Sequence, residues 1–157
     1  MVEVATAKKY ETIDRLLKHT PKDDFSEVLY QIYLNNTRFE INFPLLSRFL
    51  YCVHRENPHH ELGNLPLLLK KQASNQYRAI LHAQQQEGHI RSDIPLETLA
   101  FLVVQSSWGI RDYFLTHHPK VFNEESKNKV RTDKIAKDLS AYLAQLVNEG
   151  FLKSEAA

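Results

Sequence analysis

Along this chain, side chains suited to a protein interior recur every three or four residues, the spacing that places them on one face of a helix. Phe25, Val28, Leu29, Ile32, Tyr33, Asn36 and Phe39 keep that spacing, and Asp23 or Asp24 stands just ahead as a capping side chain, which predicts a helix. Asn42-Phe43-Pro44 restarts the chain into another helix with Leu46, Phe49, Leu50 and Val53 inward. Asn57-Pro58 ends it, because a residue before proline is pushed out of helical geometry. After the loop His59-His60-Glu61-Leu62-Gly63, Asn64 or Leu65 opens a long helix to about Glu87. Its inner face is Leu69, Ala73, Tyr77, Ile80 and Leu81, with Lys70, Lys71, Arg78 and the run Gln84-Gln85-Gln86 largely outside. The first segment, to about Lys18, carries Tyr10, Ile13, Leu16 and Leu17 on one face but lacks a capping signal, like a helix already under way.

The stretch Gly88-His89-Ile90-Arg91-Ser92-Asp93-Ile94-Pro95 places a helix stop, a turn and a helix start within eight residues. Gly88 suits the left-handed position past a helix end, and Pro95 suits a first helical turn, where a missing N–H costs nothing. From Pro95 to about Thr116 the apolar residues Leu96, Leu99, Ala100, Phe101, Leu102, Val103, Val104, Trp108, Ile110, Tyr113, Phe114 and Leu115 cover more than one face. One neighbour cannot bury them all, so this helix needs partners on two sides. His117-His118-Pro119 closes it. The last helix runs from near Asn123 to Glu149 on the stripe Val130, Ile135, Leu139, Tyr142, Leu143, Leu146 and Val147, with Gly150-Phe151 as a glycine stop. The sum is an all-α antiparallel bundle of about six helices.

Composition narrows the class. A chain of 157 residues fits a single domain, here taken as 1–157, with 43% hydrophobic and 25% charged residues, ordinary for a globular protein. No apolar stretch reaches the roughly 18 to 20 residues of a membrane span. Met1-Val2-Glu3-Val4 lacks the blocks of a secretory signal, and the lone Cys52 has no internal disulfide partner, so a cytoplasmic setting is expected. A net charge of +1 leaves no electrostatic footprint for nucleic acid or an acidic membrane.

The sequence carries little sign of catalysis. There is no glycine-rich phosphate loop and no nucleophile elbow, Asp112 beside Arg111 reads as a surface ion pair, and Cys52 reads as a small core residue. His54, His59, His60 and Glu61 offer metal-ligand chemistry, but Pro58 breaks any regular spacing, so they read as solvated loop residues. No metal or other cofactor is expected. His117 and His118 fit the negative end of a helix. Lys127, Lys129, Arg131, Lys134 and Lys137 alternate with Glu124, Glu125, Asp133 and Asp138, the pattern of a solvated helix face.

Gln86-Glu87-Gly88-His89-Ile90-Arg91-Ser92-Asp93-Ile94-Pro95, then Leu99-Ala100-Phe101-Leu102 and Trp108-Gly109-Ile110, resemble the carboxy-terminal regulatory domain of the TetR family of bacterial transcription regulators. Asn42-Phe43-Pro44-Leu45-Leu46-Ser47-Arg48 is similar to that family's helix entry upstream. The three-helix DNA-reading unit with which family members begin has no match here, so DNA binding is expected only through an N-terminal domain absent from this chain. The resemblance implies a homodimer in which the last two helices of each copy form a four-helix interface. Ser106, Ser107 and Gly109 would let backbones approach, and Tyr113, Ile135, Leu139, Tyr142 and Leu146 would supply contact area. It also implies a ligand pocket among the second to fifth helices. Tyr30, Tyr33, Leu50, Tyr51, Tyr77, Leu81 and Trp108 would form its walls, and His54 and Gln105 would add hydrogen-bonding groups. Taken singly, each of these is also what a packed core residue looks like. With no arginine cluster on these faces, the expected effector is a small hydrophobic or aromatic compound, neutral or weakly charged. The rival reading is a helical protein–protein interaction module without a small ligand, holding its partner through the same apolar helix.

Overall fold

The computed structural model describes Val4, Ala7, Lys9 and Glu11, then residues 24–55, 63–122 and 129–151. These are helical nearly throughout, with no strand among them, and the bundle expected from the sequence is what they form. Five long helices are described: α1 (Phe25–Asn42), α2 (Pro44–Arg55), α3 (Leu65–Gln86), α4 (Leu96–His117) and α5 (Lys129–Phe151). Val4, Ala7, Lys9 and Glu11 are helical as well, where a sixth helix was expected. Tyr10, Ile13, Leu16 and Leu17, its expected inner face, lie outside the described residues, as do residues 56–62 and 123–128.

Asp24 caps α1, its carboxylate accepting the Glu27 N–H at 3.0 Å. Every position expected on the inner face of α1 is buried, and so are Leu34, Asn35, Thr37 and Glu40. Six consecutive buried residues, Ile32 to Thr37, mean that α1 is enclosed on all sides at mid-length rather than lying on one face of a core. It packs most extensively on α5, and also on α4 and α2. The α5 surface that meets the core most closely is small: Thr132, Ala136, Ser140 and Ala144 are buried at four-residue spacing. Short side chains there let the two backbones approach, in the manner of ridges along every fourth residue fitting between one another. The larger stripe Ile135, Leu139, Leu143 and Val147 packs against the same core while remaining partly exposed. α5 continues through Gly150 to Phe151, so Gly150 does not stop the helix as expected.

The joint between α3 and α4 matches the sequence closely. Gly88 takes a left-handed conformation, φ 81°, which a Cβ disfavours. Ile90 is fully buried beneath the turn. Gln85 Nε2 donates to the carbonyl oxygens of Arg91 at 2.9 Å and Ile94 at 3.1 Å, satisfying backbone acceptors that the turn leaves unpaired. Pro95 sits one position ahead of the first helical residue, φ −56° and ψ 134°, and its carbonyl accepts from Thr98 and Leu99. α3 and α4 then pack along one another. α4 ends at His117, the His118 N–H closing on the Phe114 carbonyl, and Pro119–Phe122 forms a short 3-10 turn.

Candidate functional site

α4 presents two unlike faces. Leu99, Ala100, Val103, Val104, Ser107, Ile110, Arg111 and Phe114 are buried, whereas Phe101, Leu102, Tyr113 and Leu115 stay exposed, Phe101 at 57%. On α5, Tyr142 and Leu146 are 66% and 68% exposed. Large apolar side chains gathered on an exposed face are the kind that associating surfaces use.

Inside, a seam of polar side chains runs between α1, α3 and α4. Ser106 Oγ gives its proton to the Leu102 carbonyl and therefore accepts from the Tyr33 hydroxyl at 2.7 Å. Asn36 Nδ2 donates to the Tyr77 hydroxyl at 3.0 Å and to Ser107 Oγ at 3.2 Å, while among the described residues its Oδ1 has no partner. An unsatisfied acceptor on so deeply buried a side chain is expensive, and a binding site is where such a group is tolerated. Burial pushes the Tyr33 phenol up to about 12 and the Tyr77 phenol up from its ordinary value, so both stand as neutral donors.

The seam continues into a charged knot. Arg111 and Glu40 are both buried, with Nη1 to Oε2 at 2.9 Å, and Ser47 bonds to the same carboxylate oxygen as well as accepting from Arg111 at 2.5 Å. The guanidinium also lies over the Tyr51 ring, 5.4 Å from its centroid, and Tyr51 donates to Asp112 Oδ1 at 2.7 Å. Lys9 enters from the opening segment, with Nζ 4.9 Å from the centroid of the Trp108 ring and 5.7 Å from that of Phe39. Its backbone carbonyl accepts from Asn35 Nδ2 at 3.5 Å. Burial disfavours the charged form of Lys9, an effect partly offset by Glu40.

The residues expected to line a ligand pocket are therefore distributed unevenly. Tyr33, Tyr77, Leu81 and Leu50 are buried. Tyr51 and Trp108 are half-buried beside the charged knot, and Gln105 is exposed. Tyr30 faces elsewhere, into an open groove of about 410 Å³ between the start of α1 and the end of α5, lined also by Asp24, Glu27, Gln145, Asn148 and Glu149. The side chain of His54 and the histidines at 59 and 60 lie outside the described residues. Among the described residues no three metal-binding side chains gather. Of the residues expected at a dimer interface, Tyr113, Tyr142 and Leu146 are exposed, and Ser106, Gly109, Ile135 and Leu139 are half-buried.

Sequence reasoning missed Lys9, Asn36 as a polar partner, Glu40, Ser47 and Arg111. Arg111 is a buried partner of Glu40, not half of a surface pair with Asp112. Adjacent positions on a helix point about a quarter-turn apart, so one turns inward while the other stays near solvent. The signal available was the four-residue step from Asn36 to Glu40 on a face otherwise apolar.

No family profile and no curated protein matches the chain. A solved structure does: a TetR family transcriptional regulator from Chloroflexus aurantiacus J-10-FL superposes with a TM-score of 0.71 at 12% identity, covering 98% of this chain and 72% of that one. The chain thus shares the fold of that protein over nearly its whole length, the fold that the residues around the joint at 86–95 suggested. Among the described residues no helix is long and apolar enough to cross a membrane.

Proposed function

We propose that residues 1–157 are the effector-binding and dimerisation domain of a bacterial, cytoplasmic transcription regulator of the TetR kind, without enzymatic activity. DNA contact belongs to a helix-turn-helix unit outside these residues. The observation that carries this reading is the division of α4, with polar Ser106, Ser107 and Arg111 turned to α1 and apolar Phe101, Leu102, Tyr113 and Leu115 left uncovered. One face serves a small ligand and the other a second copy. The mechanism is a coupling between sites: a ligand that prefers one arrangement of α1, α3 and α4 shifts the opening segment, and with it the spacing of two DNA readers. Lys9 supports that route, because it joins the opening segment to α1 through Asn35 and to α4 through Trp108. The fold of the Chloroflexus regulator supports it too.

The effector is a small hydrophobic or aromatic compound. Titration with a panel of aromatic and acyl compounds is expected to change the fluorescence of Trp108, the single tryptophan of the sequence. A panel that leaves it unchanged, in a chain that still exchanges subunits or partners through α4, would favour the interaction module instead.

A further inference from the structure

The groove between the start of α1 and the end of α5 is separate from the polar seam, and its polar lining is one-sided in chemistry. Asp24 and Glu27 stand on one wall and Glu149 on the other, and among the described residues no lysine, arginine or histidine lines it. Each carboxylate is met there only by a neutral donor: Asp24 by the Glu27 N–H at 3.0 Å, Glu27 by Gln31 Nε2 at 2.7 Å and Glu149 by Gln145 Nε2 at 2.8 Å. Each of these bonds occupies one oxygen and leaves the charge uncancelled. On the same wall as Glu149, Asn148 Oδ1 is closed off from solvent and has no hydrogen-bond partner among the described residues. A buried acceptor without a donor is costly, and here it belongs to a groove of about 410 Å³, a size that suits a small organic molecule. The net charge of the whole chain is +1, so the negative character is local to the groove.

We propose that this groove is a second binding site, and that its ligand is a linear aliphatic polyamine. The carboxylates and the free Asn148 oxygen accept only, so the ligand must bring donors and positive charge. An ammonium group carries three donors, no acceptor and a full charge. Two or more such groups are needed, because the carboxylates stand on two facing helices. A single metal ion does not meet that geometry, since among the described residues no three carboxylate, imidazole or thiol side chains gather closely enough to hold one. The methylene stretch between ammonium groups matches the half-buried Tyr30 ring and the buried Ala144 beneath it, and the ring attracts a cation as well. Seated in this way, the ligand gives one N–H to Asn148 Oδ1 and bridges Glu27 to Glu149. It thereby ties the first turn of α1 to the last turns of α5, the helix against which α1 packs most extensively.

Calorimetric titration of the native chain with spermidine, putrescine, butylamine and butanediol tests the site. Spermidine and putrescine are expected to bind roughly tenfold to a hundredfold more tightly than butylamine, and the uncharged diol not to bind. E27Q, E149Q and N148L are each expected to weaken spermidine by roughly threefold to tenfold. E97Q, which removes an exposed carboxylate outside the groove, is expected to leave its affinity unchanged. Circular dichroism melting checks that the variants are folded. Absence of spermidine binding, butylamine binding as tightly as putrescine, or a groove variant that binds like the native chain overturns the proposal. So does an E97Q chain weakened as much as E27Q, which marks diffuse attraction, or displacement of spermidine by an equal concentration of magnesium ion.

Discussion

Glu40 is the buried counter-charge of Arg111 and acts on Lys9 as well. E40Q removes that charge with little change of shape and breaks the buried ion pair with Arg111. A loss of about 3 to 5 kcal/mol is expected in urea denaturation, a large share of the stability of an ordinary domain. A loss below about 1 kcal/mol would mean the knot is well hydrated. Tyr33 makes a second prediction, in alkali. Its phenol is raised to about 12 in the folded chain, against about 10 when unfolded, so it favours the native state below pH 10 and that contribution is lost as the pH climbs toward 12. Y33F is expected to flatten the fall in urea midpoint between about pH 9 and pH 11, with Tyr77 contributing what slope remains. Lys9 works in the opposite sense, since its folded value is lowered and stability rises as pH approaches the unfolded value of 10.5. Tyr33 and Tyr77 were expected at a site from the sequence, whereas Glu40 and Lys9 were not legible there. A polar residue on an apolar face shows its position, but its partner lies some 70 residues away and only the fold brings them together.

Among the elements, the α3–α4 joint was read most fully, because glycine and proline act through local backbone sterics that need no tertiary context. Gly88→Ala puts a Cβ on a residue at φ 81° and is expected to cost about 1 to 2 kcal/mol, seen as a lowered midpoint in thermal or urea unfolding. An unchanged midpoint would mean the turn relaxes out of the left-handed region. α1 was legible as a helix, with its cap and inner face, but not as the enclosed centre of the bundle. Periodicity reports which face is most apolar; it cannot report that Asn35, Thr37 and Glu40 are covered as well by other helices. On α5 the same limit appears in reverse. Its large apolar stripe drew attention, whereas the deepest contact is made by Thr132, Ala136, Ser140 and Ala144, whose value lies in being small.

At the scale of the whole molecule, the sequence argument that α4 is too apolar for its own subunit agrees with the structure: Phe101, Leu102, Tyr113 and Leu115 remain exposed after α1 and α3 have packed on the other side. Tyr142 and Leu146 do the same on α5, the other large helix against α1. Burying a large apolar side chain is worth about 1.5 to 3 kcal/mol, so the proposed dimer, if it covers these six on each copy, would gain enough to offset the cost of ordering two molecules. The polar seam meets α4 on its buried side, through Ser107 and Arg111, opposite to exposed Leu102 and Tyr113. Sedimentation equilibrium of the native chain against the double substitution Y142D and L146D, at micromolar concentration, tests the proposed dimer most directly. The native chain is expected to run as a dimer and the substituted one as a folded monomer; a native monomer, or a dimer that ignores both charges, would contradict it.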